Sequence, residues 1–112
     1  PEPELEKTAV RKMPVLSSIW AEIKEGPEKG KTFPLIEGVN IIGRKEEHQI
    51  KISGPDISRT HGAIHIEGTT VMIEDLGSTN GTYVNGKIIK EKTQLKKGDF
   101  ISLGDTVIEI KS

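Results

Sequence analysis

The sequence predicts an all-β domain, a sandwich or barrel of short strands, on three observations. Twelve glycines punctuate the 112 residues, leaving few windows long enough for a helix. The apolar set is dominated by isoleucine in short β-branched runs, while aromatics make up only 4%. Two Asn-Gly pairs, Asn80-Gly81 and Asn85-Gly86, bracket Thr82, Tyr83 and Val84, which reads as turn, three-residue strand, turn.

The elements follow in order. Residues 1–14 hold three prolines, mixed charges and no clear period, and are expected to be a flexible tail ahead of a single domain over 15–112. From Ser18 to Lys24, Ile19, Ala21 and Ile23 alternate with Trp20, Glu22 and Lys24, as in a half-buried strand. Gly26-Pro27 through Gly30 turns the chain, Lys31 to Ile36 returns it, and a third strand runs from Val39 to Ile42, ending at Gly43-Arg44. Residues 45–57 are mostly polar and contain one short strand at most, Ile50-Lys51-Ile52. Gly62 to Glu67 and Val71 to Ile73 alternate again around a turn at Gly68. Residues 87–97 leave room for a helix, but Ile88, Ile89 and Leu95 do not fit i, i+3, i+4 spacing well. Phe100 to Leu103 and Thr106 to Ile110, joined at Gly104-Asp105, form a closing hairpin.

Composition narrows the function. Sixteen basic residues balance seventeen acidic ones, a net charge of −1, so no global field draws the chain to nucleic acid or to an anionic membrane. Any anion must be held by a few local residues. No cysteine is present, which removes disulfides and thiolate chemistry. No apolar run approaches the roughly 18 residues of a membrane span and no signal peptide opens the chain, so an intracellular, cytoplasmic protein without membrane insertion is expected. The first residue is Pro1 rather than Met, as in a processed chain or a piece of a larger one.

Metal and catalytic sites are tested first. His61 and His65 are four residues apart, but in a strand that is about 13 Å at roughly 3.3 Å per residue, too far for one ion. His48 stands alone in a polar loop. Ser58, His61 and Asp75 or Asp56 have the residue types of a hydrolase triad, yet no G-x-S-x-G elbow is present and no helix follows Ser58. No metal, cofactor or catalytic step is therefore expected. Polar recognition by loops remains. Arg44 closes one strand, Ser58 precedes another, and Thr79-Asn80 precede a third. An arginine fork, hydroxyl donors and an amide suit a phosphate.

Gly43-Arg44, Ser58-Arg59-Thr60-His61, Gly77-Ser78-Thr79-Asn80-Gly81-Thr82, Val84-Asn85-Gly86 and Leu95…Gly98-Asp99…Ile101…Leu103-Gly104 occur in order at compatible spacing. Together they resemble a forkhead-associated (FHA) domain, from about Ser17 to Lys111. The resemblance implies a sandwich of about eleven mainly antiparallel strands that binds phosphothreonine peptides through loops at one end, in kinase signalling. It assigns phosphate contacts to Arg44, Ser58 and Thr79, the peptide backbone to Asn80, and an added contact to Arg59. Gly43, His61, Gly81 and Asn85 match loop-shaping positions. In the family, the loop before the serine reads the third residue after the phosphothreonine, which makes Asp56 the selectivity residue here. Some bacterial relatives fold a phosphorylated N-terminal threonine back onto their own site, and Thr8 stands in a similar position. The rival expectation is a β-sandwich that acts as a phospho-independent protein–protein scaffold.

Overall fold

Alternation of small β-branched residues with polar ones forces two layers, because each strand has one apolar face to bury. The computed structural model describes residues 16–112; the predicted tail, with Thr8 in it, lies outside the described residues. Eleven strands follow in order: β1 Leu16–Glu25, β2 Thr32–Ile36, β3 Gly38–Gly43, β4 Ile50–Lys51, β5 Gly62–Glu67, β6 Thr70–Asp75, β7 Tyr83–Val84, β8 Lys87–Ile88, β9 Thr93–Leu95, β10 Phe100–Leu103 and β11 Thr106–Lys111. They form a six-stranded sheet, β2-β1-β11-β10-β7-β8, and a five-stranded sheet, β4-β3-β5-β6-β9. Pairing is antiparallel except between β3 and β4.

The core lies between the sheets. Ile23, Leu35, Ile42, Ile50, Ile64, Ile66, Ile73, Ile101, Leu103 and Ile108 are all fully buried there. The inward residues of β1 are Ile19, Ala21 and Ile23, as the alternation requires. One inward position is polar. Asn40 shares the buried face of β3 with Ile42 and has no solvent exposure. Its Oδ1 accepts from Ile36 N–H at 2.8 Å, and its Nδ2 donates to the carbonyls of Ile36 at 3.0 Å and Ile64 at 3.1 Å. The amide thus clips the β2–β3 turn to β5, satisfying backbone groups that would otherwise be buried without partners.

Three sequence expectations are adjusted. Among the described residues no helix forms, and 87–97 instead gives β8 and β9 in different sheets. The strand after the first Asn-Gly pair is two residues long, because Thr82 is buried and turned toward Asp75 rather than paired in the sheet. The two Asn-Gly pairs also differ. Asn85 and Gly86 both have positive φ, 50° and 87°, and close the two-residue hairpin between β7 and β8. In the other pair only Gly81, at φ 86°, is left-handed.

Strand direction also sorts the two ends of the sandwich. β1 pairs with β11 so that Glu25 faces Val107 while Trp20 faces Lys111. The Gly104-Asp105 turn and the C-terminal end of β1 therefore share one end, and Leu16 enters at the other.

Candidate functional site

The loops at the Gly104 end are held together by a chain of hydrogen bonds that runs through every recognition residue the sequence singles out. Arg44 follows β3, and its main-chain N–H donates to the Arg59 carbonyl at 3.0 Å. Its side-chain Nε donates to the Ile57 carbonyl at 2.7 Å. The guanidinium is thus anchored by one edge, beside Ser58, while the residue stays exposed. The Ser58 hydroxyl accepts from Thr79 N–H at 3.1 Å. Asn80 Nδ2 donates to the Asp56 carbonyl at 3.0 Å. Residues from three separate segments are in this way brought to one end.

His61 is the post behind them. It has no solvent exposure, and its main chain is bonded to Ile42 and Leu76. Ser58 N–H donates to His61 Nδ1 at 3.1 Å, so Nδ1 is an acceptor and the ring proton sits on Nε2. Nε2–H then donates to the Gly81 carbonyl at 2.9 Å. One neutral imidazole ties the serine loop to the Ser-Thr-Asn-Gly loop. Gly43 allows the loops to meet at all: a β-carbon there would lie 2.0 Å from the Arg59 carbonyl oxygen. His48 closes the outer side, its Nε2 within 3.0 Å of the Arg59 carbonyl and 3.1 Å of Thr60 Oγ1.

Asp75 is the second organiser, and the sequence reading placed it only among rejected triad members. Its Oδ1 accepts from the hydroxyls of Ser78 at 2.5 Å and Thr82 at 2.7 Å. Its Oδ2 accepts from the N–H groups of Gly77 and Ser78, each at 3.0 Å. The Ser78 hydroxyl in turn accepts from Gly81 N–H at 2.9 Å. Burial by itself would raise the Asp75 carboxyl, but these four donors outweigh it and hold the group below the ordinary carboxylate value. The available signal was an aspartate followed by hydroxyls three and seven residues later, with a glycine between them. Asn85 has a quieter role: it bonds Asp99 and Phe100, at the far tip of the β7–β8 hairpin, away from the recognition loops.

What faces outward is unspent donor capacity. Among the described residues neither Arg44 nor Arg59 has a carboxylate at ion-pair distance, whereas Lys24, Lys31, Lys45, Lys51 and Lys111 all do. Ser58 uses its hydroxyl only as an acceptor there, leaving the O–H to donate outward. Asp56 is exposed beside them, its β-carbon against Gly104, where an added β-carbon would come within 2.6 Å. The turn at Gly54 is closed by its own backbone, Ile57 N–H to the Gly54 carbonyl at 3.2 Å, so the Asp56 carboxylate is not what closes it.

A family model described as FHA domain matches residues 40–104, more than half of the chain. The chain belongs to the FHA domain family. FHA domain-containing protein FhaA of Mycobacterium tuberculosis is 38% identical over 95 residues, which is 85% of this chain but only 18% of FhaA. Among solved structures, one from a structural and functional analysis of phosphothreonine-dependent FHA domain interactions superposes with a TM-score of 0.78 at 36% identity, covering 86% of this chain and 97% of the other. The FhaA FHA domain complexed with the intracellular domain of Rv3910 gives a TM-score of 0.77 at 37% identity, covering 84% and 100%.

The Asp75 network yields a stability prediction for this FHA domain. A carboxyl held low in the folded state contributes stability that is present above its unfolded value of about 4 and lost as pH falls through the lower folded value. Urea midpoints of the wild-type and Asp75→Asn proteins should differ most at pH 6–7 and converge as pH falls below about 4. A gap that stays constant with pH would show that the carboxylate charge is not what holds the loop.

Proposed function

We propose that this FHA domain binds phosphothreonine-bearing segments of partner proteins, with no catalytic step. Arg44, Ser58 and Thr79 hold the phosphate, Asn80 holds the peptide backbone, and Arg59 adds charge at the rim. The observation that carries this reading is that Arg44, bonded to Ile57 next to Ser58, and Ser58, bonded to Thr79, are anchored from behind while their outward donors remain unspent. With Arg44 Nε committed to Ile57, its terminal nitrogens form a pre-aimed fork, which lowers the ordering cost of gripping a phosphate. Membership of a family that includes phosphothreonine-dependent domains supports the same ligand class.

Removing the fork is the direct test. Arg44→Ala should lose a charge-assisted interaction of about 1.5–3 kcal/mol, roughly a tenfold to hundredfold drop in affinity by calorimetric titration. The fold should survive, since the side chain is exposed. Binding should also weaken below about pH 6, where the phosphate takes up its second proton. Undiminished affinity in the variant would remove Arg44 from the site. Equal binding of phosphorylated and unphosphorylated peptides would leave the domain a phospho-independent scaffold.

Asp56 sets the second expectation. Its exposed carboxylate, with no ion pair among the described residues, disfavours an acid at the third position after the phosphothreonine and accepts a basic or apolar residue. A degenerate peptide library that selects Asp or Glu at that position would rule this out.

Thr8 is the third. Its third following residue is Arg11, the charge Asp56 favours. Strand geometry bears on how it would reach the site. Leu16 stands at the far end of β1, nine residues and roughly 30 Å from Glu25 at the recognition end. The eight residues from Thr8 to Leu16 span at most about 26–29 Å when fully extended. Even a fully extended tail is therefore at or just short of the reach that capture within one molecule needs, and exchange between two copies is the less strained arrangement. Phosphorylation of Thr8 should reduce binding of an added phosphopeptide and give concentration-dependent self-association in sedimentation. Unchanged peptide affinity in the modified protein would end the idea in both forms.

A further inference from the structure

Beyond the recognition loops, the chain between β8 and β9 combines unpaired charge with exposed apolar surface. Lys87, Lys90 and Lys92 fall within six residues, opposed only by Glu91. Among the described residues none of the three has an ion-pair partner; elsewhere Lys24, Lys31, Lys45, Lys51 and Lys111 are paired, while Lys29, Lys96 and Lys97 are not. Ile88 beside them is 48% exposed. With Val84 and Ile89 it floors a cleft of about 380 Å³ whose walls include Lys87, Lys90 and Glu91. β8 is the edge of its sheet, so its outer side has no strand neighbour.

The cleft borders the loop that carries Asn80 and Gly81. A β-carbon at Gly81 would lie 3.1 Å from Ile88 Cδ1, so the isoleucine packs directly beside the residue that follows Asn80. Ile89 N–H donates to the Thr82 carbonyl at 2.9 Å, and Thr93 pairs with Ile73, two residues before Asp75. A ligand backbone held at Asn80 and leaving past Gly81 would meet Ile88. Lysines on an edge strand also deter edge-to-edge pairing, but that role does not call for an exposed isoleucine between them.

We infer that this cleft docks an acidic segment bearing an apolar residue, carried on the same partner chain as the phosphothreonine. The inference rests on the phosphothreonine reading above and extends it to a bipartite ligand: phosphate at Arg44, acid and an apolar anchor at Lys87–Thr93. Exposed charge pairs of this kind are individually weak and are screened by salt, so they add selectivity on top of the phosphate grip.

The test compares phosphothreonine peptides by fluorescence anisotropy. One has neutral flanks; two others carry a run of Asp and Glu with one Leu, before or after the phosphothreonine. One acidic peptide should bind about fivefold to tenfold more tightly than the neutral one at low salt. That advantage should vanish at high salt and in the Lys87→Gln, Lys90→Gln, Lys92→Gln triple variant, while the neutral peptide binds wild type and variant alike. Equal affinities for all three peptides would overturn the inference and leave the lysines as edge guards. So would an advantage that persists in the triple variant, which would put the acid elsewhere. Arg44→Ala should weaken every peptide. If no phosphothreonine peptide binds the wild-type domain, the phosphothreonine reading fails and this inference with it; if only the acidic advantage is missing, this inference alone fails.

Discussion

A single buried imidazole holds the recognition end in shape. His61 accepts from Ser58 N–H and donates to the Gly81 carbonyl, and it can do both only as the neutral tautomer with its proton on Nε2. A buried polar ring is costly unless each nitrogen is satisfied. Satisfying both is also what fixes the spacing between the two loops. Gly43 below it and Asp75 beside it extend the same logic: one removes a side chain so backbones can touch, and the other gathers four donors so a loop can fold back. The exposed residues then need little ordering of their own, which is how a domain poor in aromatics and deep cavities can still present a specific surface.

How much of this could be read from the sequence depended on whether a feature was local. Strands with strict alternation, such as Ile19-Ala21-Ile23 or Ile108-Ile110, were legible because one residue in two must be apolar to bury one face. The β7–β8 hairpin was legible because Asn85-Gly86 supplies two left-handed residues in succession. The register of 87–97 was not, since its residues divide between two sheets and the pairing of β9 with β6 is set by packing that no local period records. The residues assigned to recognition came from motif order, and hydrogen bonds bring them to one end of the sandwich. Asp75 and Asn40 escaped, because each is a polar residue whose partners lie on other segments or across a turn. A carboxylate before a glycine looks like ordinary loop chemistry until its four donors are counted.

Charge follows the same division between scaffold and surface. The net charge of −1 hides a segregation. Glu22, Lys24, Glu109 and Lys111 form a mutually paired ladder across β1 and β11, in which hydrogen bonding to Lys111 pulls Glu22 below its usual value and Glu22 raises Lys111 in turn. Those side chains are partly exposed, so the ladder neutralises a sheet face more than it stabilises the fold. Arg44, Arg59 and the lysines of 87–92 have no such partners among the described residues. A nearly neutral protein can still present local positive charge where unpaired cations gather, as Arg44 and Arg59 do around Ser58. Local placement of that kind differs from the field of one sign across a whole face on which nucleic-acid or membrane recognition draws.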